Sequence, residues 1–254
     1  MYAHERHQAI LHALRKRAPL KVPQLERMLQ ASPATVRRDL TFLENLGKIV
    51  RIHGSVLHPE QADGEVSFDR KSRAALNAKI AIAEAAVGLV KEGDTIFVDA
   101  GSTTLEAGKR LLRLGKLTIF TNSIPLLNER PAAGISLVAL GGDVRSVSLA
   151  LTGGGALEWV RRIRIDVAFM GASGIDPTEG PTTTELSEAG VKSAVVAKAR
   201  RVVLLADASK WGQTAAIRYA DWAQIQDIVT DYVTSRTERT ALFRHGARIH
   251  LVKR

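Results

Sequence analysis

Apolar residues in the first fifty positions fall at helical spacing. Ile10, Leu11 and Leu14 share one face and the run closes on Arg15-Lys16-Arg17, which predicts a helix over about 4–17. Ala18-Pro19-Leu20 breaks it. Leu25, Met28 and Leu29 predict a short second helix, with Pro23 in the first turn, where no amide donor is needed. Ser32 is a good N-cap and Pro33 follows at the first helical position. Val36, Leu40 and Leu43, at i, i+4 and i+7, form the buried face of a third helix, which Gly47 stops. The opposite face carries Ala34, Arg38, Thr41 and Asn45, with Arg37 on its flank. Asp39 lies toward the buried edge, where a neighbouring cation could pair with it. Alternation around Gly54-Ser55 then predicts a two-stranded hairpin over 48–57.

Beyond residue 73 the pattern changes. A helical run over 74–90 is followed by short β-branched runs that alternate with helices. Strands are expected at 95–98, 117–121, 136–140, 166–170, 202–206 and 228–230. Helices are expected near 103–113, 123–130, 153–163, 186–199 and 221–226. This is an α/β class pattern with a mostly parallel sheet covered on both faces. The polar stretch Pro59–Glu65 marks a join, which predicts a small first domain at 1–58, a linker at 59–72 and a larger domain at 73–254. Phe68 and Arg70 are expected to dock on the larger domain.

Charge sharpens this division. The chain of 254 residues has 36 basic and 26 acidic residues, a net charge of +10. Residues 1–58 hold ten of the basic residues, only four of the acidic ones and five of the seven histidines. A dense positive module on a nearly balanced body points to nucleic acid as partner. Helix, helix, helix and hairpin is the winged helix-turn-helix plan. It would set Ser32, Thr35, Arg37, Arg38 and Thr41 at the major groove, with Arg51 and His53 of the wing at the backbone or adjacent minor groove. A plain three-helix bundle with solvated arginines explains any one of these features, but not the capped Arg-Arg helix and the basic wing together.

Composition excludes other classes. With no cysteine there is no disulfide scaffold, thiolate metal site or cysteine nucleophile. No apolar run approaches the roughly 18 residues of a membrane span, and the N-terminus has no signal-peptide core, so a cytoplasmic protein is expected. His4, His7 and His12 lack metal-ligand spacing, and no metal or cofactor is expected. The Gly-rich stretches lack the order of a nucleotide-binding P-loop.

The segments after the strands carry the candidate chemistry, because ligands of parallel sheets bind beyond the strands' carboxyl ends. Asp99-Ala100-Gly101-Ser102-Thr103-Thr104 precedes a helix, and Gly101 there would permit a tight turn. Then come Thr121-Asn122-Ser123, Gly141-Gly142-Asp143-Val144-Arg145, Gly171-Ala172-Ser173-Gly174 and Asp207-Ala208-Ser209-Lys210. Thr103, Thr104, Arg145 and Lys210 suit a phosphate, and free amides at a helix N-terminus add to such a seat. Asp99, Asn122, Asp143 and Glu188 suit sugar hydroxyls. The loops lack aromatic residues, so a flat cofactor is not favoured.

Ser32-Pro33-Ala34-Thr35-Val36-Arg37-Arg38-Asp39-Leu40 with Arg51-Ile52-His53-Gly54 resembles the N-terminal domain of DeoR-type repressors, although Ser55 stands where that pattern has a second glycine. Residues 74–231 resemble the sensor domain of the same family. The matching runs are Asp99–Thr104, Thr121-Asn122, Leu140–Arg145, Glu188-x-x-x-Lys192 and Asp207–Lys210. The resemblance implies a body similar to ribose-5-phosphate isomerase, a phosphorylated sugar as effector, double-stranded operator DNA as partner, and repression of carbohydrate genes. A homo-oligomer is expected, since dimers gain by binding two half-sites. A sugar-phosphate isomerase is the alternative, because Glu188, Lys192, Asp99 and Asp207 could serve proton transfer. The DNA-reading module argues against it.

Overall fold

The computed structural model describes residues 2–16, 19–45, 48–52, 55–57, 66–232, 235, 242 and 245–253, apart from the side chains of residues 15, 16, 50 and 52. The expected helix stop at Gly47, the wing tip with His53 and Gly54, and the join at Pro59–Glu65 lie outside them. Two compact units emerge, residues 1–67 and 68–254.

The first unit runs α1 (Ala3–Lys16), β1 (Leu20–Lys21), α2 (Val22–Leu29), α3 (Pro33–Asn45), β2 (Val50–Ile52) and β3 (Ser55–Leu57). Its core is made of the periodic positions: Ile10, Leu14, Leu25, Leu29, Val36, Leu40 and Leu43, joined by Ile49 and Val56. Each such side chain contributes about 1.5–3 kcal/mol on burial. Strand β1 has no counterpart among the elements expected from sequence. Leu20 and Lys21 pair with Val56 and Ser55, so the wing is a three-stranded sheet in the order β1-β3-β2.

The second unit begins with α4 (Phe68–Arg73), which lies where the sequence suggested a linker. Then follow α5 (Leu76–Val87), β4 (Thr95–Val98), α6 (Ser102–Leu111), β5 (Leu117–Thr121), α7 (Ile124–Leu127), β6 (Ile135–Ala139), and a hairpin of β7 (Asp143–Arg145) and β8 (Ala150–Thr152). After it come α8 (Gly153–Arg162), β9 (Ile165–Met170), β10 (Gly174–Asp176), β11 (Gly180–Thr183), α9 (Leu186–Lys198), β12 (Ala199–Leu205), β13 (Ile217–Arg218), β14 (Asp227–Thr230) and β15 (Arg248–Leu251). One-turn 3-10 helices cover Ala208–Lys210 and Trp222–Gln224.

Seven parallel strands form the central sheet, in the order β15-β14-β12-β9-β4-β5-β6. Successive side chains point to opposite faces. Phe97, Ala168, Met170, Val202, Leu204 and Ile228 therefore enter one core with Ala156 and Val160 of α8 and Val191 and Val195 of α9. Ile96, Val98, Val167, Phe169, Val203, Leu205 and Val229 enter a second core with Ile82 and Ala86 of α5 and Leu105 and Leu111 of α6. The fold class is the expected one: a helix-turn-helix unit followed by a larger α/β unit.

The strand order positions the site. From β4 the chain winds outward through β5 and β6, then returns to the other side of β4 with β9 and winds the opposite way through β12, β14 and β15. Adjacent β4 and β9 thus form the topological switch point, where loops leaving the carboxyl ends diverge and open a crevice. Among the described residues, no helix is long and apolar enough to cross a membrane.

Candidate functional site

At the switch point, the loops after β4 and β9 bound a cleft that encloses about 560 Å³, its open mouth included. Gly101, Ser102 and Thr103 line it from the β4 loop, and Gly171, Ala172 and Ser173 from the β9 loop. Glu188 and Lys192 of α9, Lys210 after β12, Ser148 of the β7–β8 turn and Thr183 of β11 complete the polar lining. Phe68 and Lys71 of α4 also line it.

Beneath the cleft, Asp99 is buried at the end of β4. Its Oδ2 accepts from the Gly171 amide at 2.9 Å and from the Lys192 ammonium, while Oδ1 is buried without a partner among the described residues. Burial pushes the Asp99 carboxyl up, and Lys192 pulls against that shift. The Lys192 ammonium also reaches the Gly171 carbonyl at 3.1 Å and lies 5.2 Å from the centre of the buried Tyr219 ring. The Tyr219 hydroxyl donates to the same carbonyl at 2.8 Å.

Glu188 is braced on both oxygens. Arg145 Nη1 donates to Oε1 at 3.1 Å and Thr183 Oγ1 to Oε2 at 3.2 Å. Arg145 Nη1 also donates to Ser148 Oγ at 3.1 Å within the β7–β8 hairpin, so Arg145 ties that hairpin to the first turn of α9 through Glu188. Lys210 differs from these groups. It is half-buried, and its ammonium makes no hydrogen bond or ion pair among the described residues. Burial lowers its pKa, nearby Asp207 raises it, and Lys71 lowers it further.

Of the residues expected at the site from sequence, Gly101, Thr103, Glu188, Lys192 and Lys210 line this cleft. The others surround or shape it. Thr104 is fully buried, and its hydroxyl donates to the carbonyls of Asp99 at 2.6 Å and Gly101 at 2.9 Å. Asn122 links the β4 loop to β8: Oδ1 accepts from Ala100 N at 2.8 Å and Nδ2 donates to Leu151 O at 3.3 Å. Gly101 is extended (φ −166°), so its role is close approach and not a special turn: a Cβ there would lie 3.0 Å from Thr104 Oγ1. Gly142 does need glycine, with φ +106° and space for a Cβ only 2.3 Å from Thr152 O. Gly141 and the exposed Asp143 belong to the same corner and do not line the cleft.

Sequence reasoning missed Lys71, Ser148 and Thr183, and it docked Phe68 on the larger domain, where it is buried, without bringing it to the cleft. Lys71 falls in the expected linker, and Thr183 in a threonine run with no periodic signature. Ser102 and Ser173 lie within the strand-end runs, where nothing local ranks one hydroxyl above its neighbours.

In the first unit, Ser32 Oγ accepts from Thr35 N at 3.2 Å and meets Thr35 Oγ1 at 2.8 Å, which closes the start of α3. Arg37 and Arg38 are exposed, and their guanidinium groups make no bond among the described residues. Thr41 Oγ1 donates to Arg37 O at 2.9 Å. Arg51 folds back from β2 onto α3: Nη2 donates to Thr41 Oγ1 at 2.7 Å and Arg37 O at 3.1 Å, and Nε lies 3.2 Å from Glu44 Oε2. Asp39 has the expected cation, since Arg6 Nε donates to Oδ2 at 2.7 Å and His7 Nε2 lies 3.0 Å from Oδ1. Among the described residues, no group of three His, Asp or Glu side chains could hold a metal ion.

The DeoR-like helix-turn-helix domain matches residues 6–62, and the DeoR C terminal sensor domain matches residues 74–232. The chain belongs to the DeoR family. As a DeoR-family chain it is a DNA-binding helix-turn-helix transcriptional regulator. The uncharacterized HTH-type transcriptional regulator FruR of Bacillus subtilis (strain 168) is 33% identical over 231 residues, covering 91% of this chain and 92% of that one. The HTH-type transcriptional repressor GlcR of the same organism is 31% identical over 250 residues, covering 98% and 96%. Among solved structures, ribose 5-phosphate isomerase A from Methanocaldococcus jannaschii aligns with a TM-score of 0.38 and 22% identity, over 54% of this chain and 55% of that one. The relatives are regulators by name, so this DeoR-family chain is assigned as a regulator and not an enzyme.

Proposed function

We propose that this regulator represses genes of carbohydrate metabolism by gripping double-stranded operator DNA, and that a small phosphorylated sugar in the switch-point cleft modulates the grip. Repression is the named activity of GlcR, which aligns over nearly the whole chain. The observation that carries the effector reading is the cleft's mixed chemistry. A half-buried ammonium, Lys210, stands with the hydroxyls of Ser102, Thr103 and Ser173 and the open N-terminus of α6. Those groups suit a phosphate. Glu188 and the buried Asp99–Lys192 pair offer fixed polar contacts for hydroxyls nearby.

On the DNA side, Arg37 and Arg38 reach bases and phosphates, with Thr35 and Thr41 beside them on α3. Ser32 acts by capping α3. Arg51 orients the wing, which carries His53. The regulator works in the cytoplasm as a homo-oligomer that sets two recognition helices on half-sites one duplex turn apart.

A thermal-shift series on the purified chain tests the effector. Phosphorylated sugars are compared with the same sugars lacking phosphate, at equal ionic strength. A specific ligand raises Tm by mass action. The hit is then added to a gel-shift assay with the regulator's own upstream DNA, where release of the bound duplex is expected. A panel in which no phosphorylated sugar outperforms its parent sugar refutes this reading.

A further inference from the structure

We propose that α4 is the readout element of the sensor: an anion in the cleft bridges Lys71 of α4 to Lys210, and so holds α4 in place. This rests on the phosphorylated ligand proposed above.

In chain order, α4 is the first element of the larger unit, directly after the residues that join it to the helix-turn-helix unit. It is only six residues long, and so short a helix has little stability of its own. Its position depends on its attachments to the larger unit. Phe68 is buried in the sheet core, and its amide donates to Val147 O at 2.8 Å. The ammonium of Lys79 on α5, a buried lysine, donates to the carbonyls of Lys71 and Ala74. That satisfies the carbonyl end of α4, where cations are favourable.

The same attachment concentrates positive charge. Arg70, Lys71 and Arg73 fall in the last turn of α4, with Lys79 against its end. Lys71 and Lys210 line one cleft, and the charge of Lys71 disfavours the ammonium of Lys210. Asp207 offsets part of this. An anion between the two ammonium groups turns repulsion into attraction on both sides. It therefore binds the state with α4 in place more tightly than a state with α4 released, which is the differential affinity that a ligand needs to shift an equilibrium. The cleft thereby communicates with the segment leading to the DNA-binding unit, through the helix that forms part of its wall.

Hydrogen exchange of the full-length protein tests the idea, with inorganic phosphate against chloride at matched ionic strength. Peptides covering 66–75 and 99–105 are followed. With phosphate tenfold above its Kd, exchange in both peptides slows about tenfold. Lys71→Met keeps the slowing at 99–105 and loses it at 66–75. Arg73→Met, on the exposed side of the same helix, behaves as wild type. Slowing at 99–105 alone in the wild type overturns the readout role and leaves the cleft as an anion site. Slowing in neither peptide removes the anion site and the readout with it. Retained slowing at 66–75 in Lys71→Met overturns the bridge.

Discussion

The Lys192 ammonium donates to Asp99 Oδ2 across the switch point, joining α9 to the end of β4, and both side chains are buried. The pair sits where the winding of the sheet reverses, so it fixes the two loops that line the cleft from below. Removing one partner strands the other charge in the interior, a cost of about 3–5 kcal/mol. Asp99→Asn or Lys192→Met is expected to lower the Tm of the larger unit by on the order of 10 °C. The double variant Asp99→Asn/Lys192→Met recovers much of that loss, because no bare charge remains. Calorimetry on the three variants decides, and a double variant less stable than both singles contradicts the compensation.

Arg37 and Arg38 are exposed on α3, while Arg51 is folded onto it. The three arginines are therefore expected to behave differently in DNA binding. Arg38→Ala weakens binding to duplex and reduces the slope of log K against log salt by about 0.9 for each phosphate that the arginine had neutralised. Arg51→Ala weakens binding with less change in slope, because the guanidinium acts mainly through Thr41 and Glu44. None of these changes alters ligand-induced stabilisation of the larger unit. Fluorescence titrations at four salt concentrations read the slopes, and identical slopes for the Arg38 and Arg51 variants contradict the distinction.

Asp39 locks α1 to α3. Burial alone would raise its carboxyl, but the hydrogen bonds from Arg6 and His7 outweigh that and hold it below the ordinary carboxylate value. A depressed folded pKa contributes stability that is complete above the unfolded value, about 3.9, and lost as pH falls through the folded value. The stability gap between wild type and Asp39→Asn is therefore expected to be widest above about pH 5 and to close as pH falls through the lowered folded value. Chemical denaturation of both proteins across that range measures it. A gap that widens on acidification reverses the sign and rules out the lock.

Long periodic elements are legible in the sequence because burial enforces their period: Val36, Leu40 and Leu43 are core residues, as their spacing required. Pairings made by two or three residues are not. Leu20–Lys21 is too short to show alternation, and the neighbouring Pro19 reads as a break. The hairpin strands at 174–183 are rich in Gly, Pro and Thr, and those at 143–152 are only three residues each, so both read as loops. At the site, the rule that parallel strands converge their carboxyl ends brings Gly101, Thr103 and Lys210 to one cleft. It cannot separate adjacent hydroxyls. Thr103 lines the cleft, but Thr104 is about 100° further round the helix and bonds to backbone. Lys71 has no local signal, since its place depends on how α4 docks.

The Lys210 ammonium lines the cleft and makes no hydrogen bond or ion pair among the described residues, and its replacement is expected to separate sensing from DNA binding. In Lys210→Met, duplex affinity without ligand stays at the wild-type level, because the residue lies in the larger unit. The stabilisation that wild type gains from the thermal-shift hit at 100 times its Kd, about 2.7 kcal/mol, is mostly lost. The pH dependence gives an independent check. Burial holds the Lys210 ammonium below its ordinary pKa despite the opposing pull of Asp207. The charge that attracts the anion is therefore lost as pH rises through that lowered value. Since a phosphate monoester is already a dianion above about pH 7, affinity in the wild type is expected to weaken with rising pH before the ordinary lysine value of about 10.4 is reached. Calorimetric titrations over that range should show a flat profile for Lys210→Met, and an equally steep decline in the variant would assign the titration to another group.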